Sequence, residues 1–368
     1  MRVLHFLDTL GRGGAEMQAL DVARNAAAHG IEVTVASAGG GALEDEFRSC
    51  GVGLFRFQRR VPFDPFLVAK LRNLIRDRDI QIVHGYQPVD GLHLWAATLG
   101  LKNVRRVLSF QGFIQDKKNR STARFLIPRM DANVVVSRGL QKWLSETDGL
   151  DTTRNFHVIF NGADAKRLAP TGRSIRRELN IGSDHKLVGM VANFYRDRRK
   201  DQPSLAKAVV NVLSQFPDLH CVFVGGVEPG AEHKLDECRV IVREHSAGNN
   251  VHFLGRRDDV PDILNELDIA VMSSFHEGLP VALSEAMLAG KAMIVSDIEP
   301  HLEASSNGEF ADVFETGNEI DLAEKLLAML EDDDRRIDLA SRARTFAEEN
   351  LSIDSHLREL KRLYATLL

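Results

Sequence analysis

Residues 267–295 read LDIAVMSSFHEGLPVALSEAMLAGKAMIV and decide the fold of the second half of the chain. The apolar runs near its two ends, residues 268–272 and 292–295, are typical of buried parallel strands. Between them, Pro280 suits the first turn of a helix and Gly290 suits its end. A strand, loop, helix, strand order places the loop at the carboxyl edge of a parallel sheet, where α/β folds bind ligands.

Two glutamates bracket the start of this helix. Glu277 lies on the loop just before it, and Glu285 lies inside it. The first turn of a helix presents unpaired N–H groups that suit a phosphate, and Glu277 sits beside them. Two carboxylates would repel a bare phosphate, but they can accept hydrogen bonds from hydroxyl groups. The pattern therefore favours a sugar nucleotide as the ligand, although two glutamates on a surface helix are also common without any function.

Composition indicates an ordinary globular protein with room for two domains. The chain has 368 residues, of which 44% are hydrophobic and 27% are charged. No apolar run approaches the about 20 residues that a membrane helix needs, and the amino terminus resembles a strand rather than a signal peptide. The three cysteines and thirteen histidines show no metal-ligand spacing. We therefore expect a cytoplasmic protein without a metal site or a cofactor.

Charge is unevenly distributed along the chain. The net charge is −5, yet residues 1–165 carry 22 basic and 17 acidic residues. Within them, the segment 102–142 holds ten basic residues against Asp116 and Asp131. This segment is either an ordinary solvated surface or a patch for an anionic partner, such as a lipid-linked pyrophosphate or a membrane face. Nucleic acid is not expected as a partner, because no reader motif or interleaved aromatic residues accompany the charge.

Short β-branched runs alternate with amphipathic stretches throughout, which predicts an α/β protein with a doubly wound sheet in each half. In the first half the predicted strands are 2–8, 31–36, 53–57, 80–84, 104–109, 132–136 and 156–160, with helices near 14–29, 43–50, 65–78, 89–100 and 138–147. In the second half they are 187–192, 219–225, 251–254, 268–272, 292–295 and 309–313, with helices near 201–215, 231–246, 259–266, 280–289, 319–331, 333–349 and 353–367. The turn residues at 161–164 predict a boundary, which gives domains at 1–164 and 165–350, with 165–185 as a polar connector and a helical tail at 351–368.

Glycines and cations follow several of the predicted strands. The turn at residues 11–16, Gly-Arg-Gly-Gly-Ala-Glu, would let backbone N–H groups approach a phosphate or sugar, but it is not a dinucleotide-binding fingerprint. The loop at residues 193–201 carries four cations, Arg196, Arg198, Arg199 and Lys200, which suit a diphosphate or form a solvated turn. Further along, Val224-Gly225-Gly226 ends one strand, and Leu254-Gly255-Arg256-Arg257 ends another.

In their order, these elements resemble the GT-B-fold retaining glycosyltransferases of family 4. The resemblance rests on Lys200 after its strand, the two glycine-bearing strand ends and the Glu277-x7-Glu285 pair with its Gly-Leu-Pro. The first half agrees through Gly13-Gly14-Ala15-Glu16 and through Asn161-Gly162-Ala163-Asp164 at the domain junction. The resemblance covers nearly the whole chain, and it implies two Rossmann-like domains that face each other across a cleft.

The resemblance also implies roles for individual residues. Glu277 would contact the donor sugar, Glu285 the ribose, and Lys200 the diphosphate together with an arginine, for which Arg196 is our choice over Arg198 and Arg199. No metal would be needed. The full set of implied site residues is Glu277, Lys200 and Arg196 as catalytic, Glu285, Gly278, Leu279, Pro280, Gly225 and Arg257 as donor-binding, and Gly13, Gly14, His84 and Gln111 on the side of the diphosphate and acceptor.

Two departures from the family pattern stand out. The family often has Gly-Arg where this chain has Ala192-Asn193, so the second cation of the diphosphate site has to come from elsewhere. The family often has a histidine after the fifth strand, where this chain has Gln111. Glutamine donates a hydrogen bond but does not act as an acid at neutral pH. His84 is the candidate to compensate.

The sequence therefore predicts a retaining, metal-independent glycosyltransferase that moves a hexose or N-acetylhexosamine from a nucleoside diphosphate sugar to a glycan or lipid-linked acceptor. The last helix would pack back toward the first domain, which would bind the acceptor. A nucleotide-sugar epimerase, a glycan phosphorylase of the same architecture and an inactive sugar-nucleotide-binding subunit stay open as alternatives. Peripheral contact with the inner face of a membrane, through the basic segment 102–142, is a further option.

Overall fold

A computed structural model describes residues 1–114 and 116–368, which form two compact units. Unit 1 comprises Met1–Ala163 and Ile353–Leu368, and unit 2 comprises Asp164–Ser352. Each unit contains one parallel sheet whose strands alternate with helices. The predicted α/β class, with one doubly wound sheet in each half, is therefore confirmed.

Unit 1 is built on a seven-stranded parallel sheet. Its strands lie side by side in the order β3-β2-β1-β4-β5-β6-β7. The strands are β1 (Arg2–Leu7), β2 (Glu32–Ser37), β3 (Gly53–Arg56), β4 (Ile82–Gly85), β5 (Arg105–Phe110), β6 (Ala132–Val135) and β7 (Phe156–Val158). The helices are α1 (Gly14–Asn25), α2 (Glu44–Ser49), α3 (Pro65–Asp77), α4 (Pro88–Ala97), α5 (Lys117–Leu126), α6 (Arg138–Glu146) and, from the far end of the chain, α15 (Ile353–Leu367).

Both faces of this sheet are buried, as a parallel sheet requires. Alternate residues of β1 belong to different core clusters: Val3 packs in the cluster that includes Leu357 of α15, and Leu4 packs in the cluster that includes Leu71 of α3. Helix α15 thus supplies part of the core of unit 1, although about half the chain separates it from the other elements.

A buried network of histidine and tyrosine side chains joins α15 to the sheet. The two ring nitrogens of His84 lie 2.5 Å from the Tyr364 hydroxyl and 2.6 Å from the Ser109 hydroxyl. Nδ1 of His5 lies 2.8 Å from the hydroxyl of Tyr86, whose ring stacks on that of His84. These contacts connect β1, β4 and β5 with α15.

The histidines of this network are neutral at physiological pH. Burial lowers the pKa of His5 to about 3 and that of His356, which is hydrogen-bonded to the Phe160 carbonyl, to about 4. Burial, and to a smaller extent the proximity of His5 and His356, also lowers the pKa of His84 well below its ordinary value. Charging any of them in the folded state would place an unpaired cation in the core, which is costly.

Unit 2 is built on a six-stranded parallel sheet in the order β10-β9-β8-β11-β12-β13. The strands are β8 (Lys186–Val191), β9 (Leu219–Val224), β10 (Val251–Gly255), β11 (Ile269–Met272), β12 (Ala292–Ser296) and β13 (Asp312–Phe314). The helices are α7 (Ile175–Glu178), α8 (Gln202–Val212), α9 (Glu232–Glu244), α10 (Val260–Glu266), α11 (Val281–Leu288), α12 (Glu299–Ala304), α13 (Glu319–Glu331) and α14 (Asp333–Asn350).

The sequence signals around α11 are confirmed. Pro280 is the N-cap residue, with extended backbone, and the helix runs from Val281 to Leu288. Gly290 follows with a φ of +69°, a left-handed conformation in which glycine carries no steric penalty. Strand β11, the loop, α11 and strand β12 follow one another as predicted, so the loop lies at the carboxyl edge of the sheet of unit 2.

Three helices were not predicted. Helix α5 has the sequence KKNRSTARFL, in which only Ala123 and Leu126 are buried, so its apolar stripe is too thin to reveal helical periodicity. It begins where the side chain of Asp116 accepts a hydrogen bond of 2.8 Å from the backbone N–H of Asn119. The other two, α7 and α12, have only four and six residues, and α7 interrupts the predicted polar connector at 165–185.

Two kinds of feature are absent from residues 1–114 and 116–368. No helix within them is long and apolar enough to cross a bilayer. No group of three or more histidine, cysteine, aspartate or glutamate side chains within them is arranged to hold a metal ion. The three cysteines, at positions 50, 221 and 238, are free thiols.

Gly225 marks a close approach between the ends of β8 and β9. Its φ is +155°, and a Cβ at this position would lie 2.2 Å from the carbonyl oxygen of Ala192. Its N–H donates a 2.9 Å hydrogen bond to the carbonyl of Gly255 at the end of β10, which fixes the backbone from the other side. No side chain fits without displacing the backbone, so packing alone requires glycine here, independently of any ligand.

Gly225→Ala should therefore destabilise unit 2 strongly. We expect a loss of at least about 2 kcal/mol in the free energy of unfolding, measured by urea denaturation, because both the backbone conformation and the space oppose a side chain. The matched control is Gly248→Ala, since a Cβ at exposed Gly248 would meet nothing within 4 Å. The control should change stability by no more than about 0.5 kcal/mol. Equal losses in the two proteins would contradict the steric argument.

The histidine network predicts that acid destabilises unit 1. The pKa values of folded His5 and His356 lie below the about 6.5 of an unfolded histidine, so the unfolded state binds more protons. Their contribution to stability is complete above about pH 6.5 and is lost as the pH falls toward 3. Within this window, each of these two histidines should lower the free energy of unfolding by about 1 kcal/mol for each pH unit of acidification.

The measurement is the free energy of unfolding as a function of pH. His5→Gln should reduce the slope between pH 6.5 and 4, whereas His233→Gln, a change at an exposed histidine, should leave it unaltered. If the His5→Gln protein kept the slope of the unmodified protein, the network would not be the source of the acid sensitivity.

Candidate functional site

The strand order of unit 2 identifies the place where a ligand is expected. From β8 the chain moves outward to β9 and β10, and it then returns to place β11 on the other side of β8. The crevice at such a switch point, outside the carboxyl ends of the two strands, is where doubly wound sheets bind ligands. The loop after β8 carries Lys200, and the loop after β11 carries Glu277, so the topology brings these two side chains to one crevice.

Backbone hydrogen bonds join these two loops directly. The N–H of Asp201 donates to the carbonyl of Ser273, and the N–H of Phe275 donates to the carbonyl of Arg199, both at 3.0 Å. Between them, Lys200 and Ser274 form an antiparallel bridge. The Ser296 hydroxyl at the end of β12 accepts the N–H of Ser274 at 2.9 Å and donates to its carbonyl at 2.8 Å. Main-chain hydrogen bonds between the two loops therefore fix the backbone positions of Lys200 and Glu277.

Lys200 and Glu277 form a partly buried ion pair. Nζ of Lys200 lies 2.6 Å from Oε1 of Glu277, and the two side chains are only 8% and 13% exposed. The hydroxyl of Ser274 lies 3.4 Å from the same carboxylate oxygen. In a site this poorly hydrated, each charge compensates the other and restricts its orientation.

The residues between Glu277 and α11 complete the loop. The side chain of Leu279 is 3% exposed and anchors the loop in the core, and Pro280 then opens the helix. Gly278 and Leu279 therefore stand where the predicted contacts with a donor sugar would be made. These contacts themselves stay predictions.

Glu285 also pairs with a cation, one that the sequence did not indicate. Nη2 of Arg167 lies 2.5 Å from Oε1 of Glu285, and the two side chains are 21% and 11% exposed. Arg167 belongs to a 3-10 turn, Ala165–Leu168, whose N-cap Asp164 accepts the N–H of Lys166 at 3.0 Å. The nearest signal in the sequence is the Asn-Gly-Ala-Asp turn just before it, which indicates a domain junction but does not point to Arg167.

The four cations of the loop after β8 lie in different surroundings. Arg199 forms a two-pronged ion pair with Asp197, with a shortest distance of 2.6 Å, and its guanidinium lies 4.5 Å from the centre of the Tyr195 ring. Burial lowers the pKa of Arg199, but the hydrogen bonds and charge of Asp197 outweigh it and raise the pKa above its ordinary value. Arg199 is thus committed to the loop itself, which makes it a poor choice for a phosphate.

Arg196 and Arg198 are more available. The side chain of Arg196 is 67% exposed, and its guanidinium lies 3.5 Å from Glu228, beyond hydrogen-bonding distance. Its backbone N–H donates to the same glutamate at 2.9 Å, which fixes the start of the side chain. Arg198 is exposed as well. Of the three arginines, Arg196 combines a fixed backbone with an exposed charge.

The expectation for Arg257 has to be corrected. Its guanidinium is held by two carboxylates, Glu178 with both contacts at 2.8 Å and Asp259 at 2.7–2.8 Å. These hydrogen bonds raise its pKa further above the usual range. Arg257 therefore ties the turn after β10 to α7 and is not free to bind a donor. Its neighbour Arg256 is exposed and lies beside Gly226.

In unit 1 the glycine turn lies at the start of α1, where Gly13 is the N-cap residue. The carboxylate of Glu16 lies directly over Gly13. A Cβ added to Gly13 would be only 2.6 Å from Oε2 of Glu16. The hydroxyl of Thr9 donates to the same carboxylate at 3.1 Å, and burial raises the pKa of Glu16. The space around Gly14 is open. The turn therefore presents a carboxyl group as well as glycine N–H groups.

The expectation for His84 is wrong. Its side chain is 2% exposed, and its two ring nitrogens are engaged by Tyr364 and Ser109. It therefore belongs to the core and does not replace the histidine that the family often has. Gln111 directly follows β5, and its Oε1 is buried without a hydrogen-bond partner among the residues that the structure describes. The sequence alone does not reveal that His84 belongs to the core, because its partner Tyr364 lies 280 residues further along the chain.

Comparison with known proteins now places the chain. Residues 12–167 match the family described as Glycosyltransferase Family 4, and residues 172–346 match the family described as Glycosyl transferases group 1. Together the two families account for most of both units. The epimerase and the inactive subunit are not favoured by these matches.

Curated relatives and solved structures agree. The N,N'-diacetylbacillosaminyl-diphospho-undecaprenol alpha-1,3-N-acetylgalactosaminyltransferase of Campylobacter jejuni is 41% identical over 107 residues, which cover 29% of this chain and only 28% of that enzyme. The putative glycosyltransferase EpsF of Bacillus subtilis is 25% identical over 80% of this chain and 79% of its own. Anabaena Alr3699/HepE, solved with UDP, superposes with a TM-score of 0.86 over both whole chains at 19% identity. The chain therefore belongs to the GT-B glycosyltransferases of family 4.

Proposed function

We propose that this chain transfers a hexose or N-acetylhexosamine from a nucleoside diphosphate sugar to a hydroxyl of a glycan or lipid-linked acceptor, with retention at the anomeric carbon and without a metal. Unit 2 would bind the donor, and unit 1 would bind the acceptor. The observation that carries the proposal is the ion pair of Lys200 and Glu277 at the switch point of unit 2. Lys200 would bind the diphosphate of a sugar nucleotide, and Glu277 would accept hydrogen bonds from the hydroxyl groups of its sugar.

The charges of this site are balanced before a donor binds. The carboxylate of Glu277 would otherwise repel a diphosphate, but Lys200 compensates it at 2.6 Å. A diphosphate carries more negative charge than this balanced pair attracts, so a further cation is required. Arg196 supplies it, because its side chain is long, exposed and held only loosely by Glu228.

The chemistry then follows from where charge develops. The bond between the anomeric carbon and the phosphate oxygen breaks, and its electron pair leaves with the nucleoside diphosphate. The acceptor oxygen forms the new bond on the same face, and its proton passes to the departing phosphate oxygen. Lys200 and Arg196 stabilise the negative charge that grows on the leaving group, while Glu277 orients the sugar through its hydroxyls.

Two features support the metal-independent form of the proposal. Lys200 and Arg196 would supply the positive charge that a divalent ion would otherwise bring to the diphosphate. The carboxylates of the site are engaged by these or other cations, as Glu277 is by Lys200 and Glu285 is by Arg167. The donor base is best sought first among uridine nucleotides, since the similar Anabaena structures contain UDP and UDP-glucose.

On the acceptor side, we propose a hydroxyl-bearing sugar at the turn before α1. Gly13 and Gly14 offer backbone N–H groups, and the Glu16 carboxyl beside them suits a hydroxyl better than a bare phosphate. Gln111 can donate a hydrogen bond there but does not act as an acid. A lipid-linked acceptor is suggested by the Campylobacter jejuni relative, whose name specifies one, and it would place the reaction at the cytoplasmic face of a membrane.

Lys200→Ala, Glu277→Ala and Arg196→Ala should each lower kcat/KM at least about a hundredfold, because Lys200 and Glu277 are preorganised partners of the transition state and Arg196 supplies the remaining positive charge. The measurement is release of UDP from UDP-N-acetylgalactosamine or UDP-glucose with a polyprenyl-diphosphate-linked sugar, in EDTA, with the anomer of the product assigned by NMR. Lys207→Ala, which removes a half-buried lysine paired with Glu319 on the same unit, is the matched control and should keep full activity. Near-complete activity of the Lys200 and Glu277 variants would contradict the proposal.

We further propose that unit 1 contacts an anionic bilayer through the α5–α6 surface, defined as residues 113 and 116–146. Phe125 and Trp143 are 37% and 38% exposed, and Phe113 packs edge-on against Trp143 at 4.7 Å between ring centres. Arg120 of α5 lies 2.8 Å from Asp148, which follows α6 closely in sequence, so this contact joins α5 to the segment after α6. The exposed cations of this surface are Lys117, Lys118, Arg124, Arg129, Arg138 and Lys142.

This combination suits the surface of a membrane better than a soluble anion. Tryptophan and phenylalanine insert at the level of the lipid head groups, and each nearby cation adds about 1 kcal/mol with acidic lipids. Against these cations stand the exposed Asp116 and Glu146 of the α5–α6 surface. The surface therefore keeps a positive charge that complements an acidic bilayer.

Reversing the charge of Lys117 and Lys118 together should weaken binding to vesicles of phosphatidylcholine with phosphatidylglycerol at least about tenfold. Sedimentation with the vesicles measures this, and Trp143→Ala should weaken binding as well. The matched control is Lys361→Glu with Arg362→Glu, on α15, which packs in the opposite core of the sheet. Equal binding of both charge-reversed proteins, or equal binding to vesicles of phosphatidylcholine alone, would contradict the contact.

A further inference from the structure

We infer that Arg167 is a positioning residue, which fixes the carboxylate of Glu285 so that the site distinguishes a ribose from a deoxyribose ring. The inference rests on the proposed function, in which Glu285 binds the ribose of the donor. Arg167 would not touch the nucleotide. It would act through Glu285, and its effect would appear in nucleotide selectivity.

The contact between the two residues is direct and largely enclosed. Nη2 of Arg167 lies 2.5 Å from Oε1 of Glu285, and the whole Glu285 residue is 8% exposed. Such a pair is screened less by water than a surface pair, so the arginine strongly constrains the carboxylate. A glutamate has three rotatable side-chain bonds, and this contact reduces that freedom before a ligand arrives.

The two oxygens of the carboxylate are used unequally. Oε1 is taken by Arg167, whereas Oε2 accepts no hydrogen bond from any residue in the described parts of the chain, 1–114 and 116–368. An ionised carboxylate oxygen has two lone pairs, so Oε2 can accept from the hydroxyl groups of a ribose. Fixing Oε1 therefore determines where Oε2 points.

The element that carries Arg167 is itself firmly held. The side chain of Asp164 caps the 3-10 turn at its start, and Leu168 at its end is 5% exposed. The amide of Asn265, on α10, donates a 3.1 Å hydrogen bond to the carbonyl of Leu168. The turn therefore places the guanidinium from a rigid support, which is what a positioning residue needs.

Charge gives a second reason for the pair. Without Arg167, Glu285 would be an uncompensated carboxylate on the helix that begins next to the proposed diphosphate position. It would then repel the negatively charged donor. Arg167 compensates the charge of Glu285 and orients its carboxylate, as Lys200 does for Glu277.

The test compares binding of UDP with binding of 2′-deoxy-UDP by calorimetry; GDP and ADP with their 2′-deoxy forms take their place if UDP does not bind. In the unmodified protein the ribonucleotide should bind about 10 to 100 times more tightly, on the scale of one hydrogen bond to a charged group. Glu285→Gln should remove most of this preference. Arg167→Gln should reduce the ratio to about threefold or less, and Arg167→Lys should restore part of it.

A kinetic measurement separates positioning from general damage. Arg167→Gln should raise KM for the donor with little change in kcat, because the lost interaction is equal in the ground and transition states. Arg344→Gln, which breaks an exposed pair with Glu348 on α14, is the matched control and should alter neither the ratio nor KM.

The outcomes distinguish this inference from the function on which it rests. If no nucleoside diphosphate binds the unmodified protein, the proposed function fails. If nucleotides bind but Arg167→Gln keeps the full preference for ribose, or if the unmodified protein shows none, the role of Arg167 is refuted while the donor site stands. Should Arg167→Gln not fold, Arg167→Lys decides the matter, since an unchanged ratio in that variant refutes the role as well.

Discussion

The ion pair of Lys200 and Glu277 is the interaction on which the rest of unit 2 depends. A carboxylate that is to accept hydroxyl groups beside a phosphate must have its charge compensated without losing its place. The fold meets this constraint by joining the loops after β8 and β11 through their backbones, so the cation and the carboxylate meet without relying on long flexible side chains. Arg167 with Glu285 and Arg199 with Asp197 repeat the same arrangement nearby. The site is therefore balanced within the protein before any ligand enters.

Much of the fold and of the candidate site could be predicted because it depends on short stretches of sequence. The start of α11 at Pro280 and its end before Gly290 depend on residues within one or two turns. The α/β class follows from alternation that repeats along the whole chain. The order of neighbouring elements is enough to place Glu277 at a sheet edge. The resemblance to family 4 adds the expected roles of the individual residues. What the order of elements did not reveal is that β8 and β11 are neighbours, which brings Lys200 to Glu277.

The residues that were misjudged all depend on partners far away in the chain. Histidine is a common catalytic residue, but one ring nitrogen of His84 is hydrogen-bonded to Tyr364, which lies 280 positions later. Arg257 follows a strand just as a ligand-binding arginine would, yet Glu178 lies 79 positions before it and neutralises it together with Asp259. Arg167 escaped notice because its partner lies 118 positions away. A single sequence shows side chains and spacing, whereas pairing of this kind is decided by the tertiary fold.

Helix α15 has a consequence for how the chain is made. Unit 2 is continuous in sequence, so it can fold as soon as it has left the ribosome, whereas unit 1 obtains Leu357 and Tyr364 for its core only after all of unit 2 has been synthesised. At about 5 to 20 residues per second, that interval lasts roughly 10 to 40 seconds. During it, one face of the first sheet lacks the part of its core that α15 supplies, and the strands that emerge first wait longest for it. Completion of the core of unit 1 is therefore tied to the last segment to be translated, although most of unit 1 is translated first.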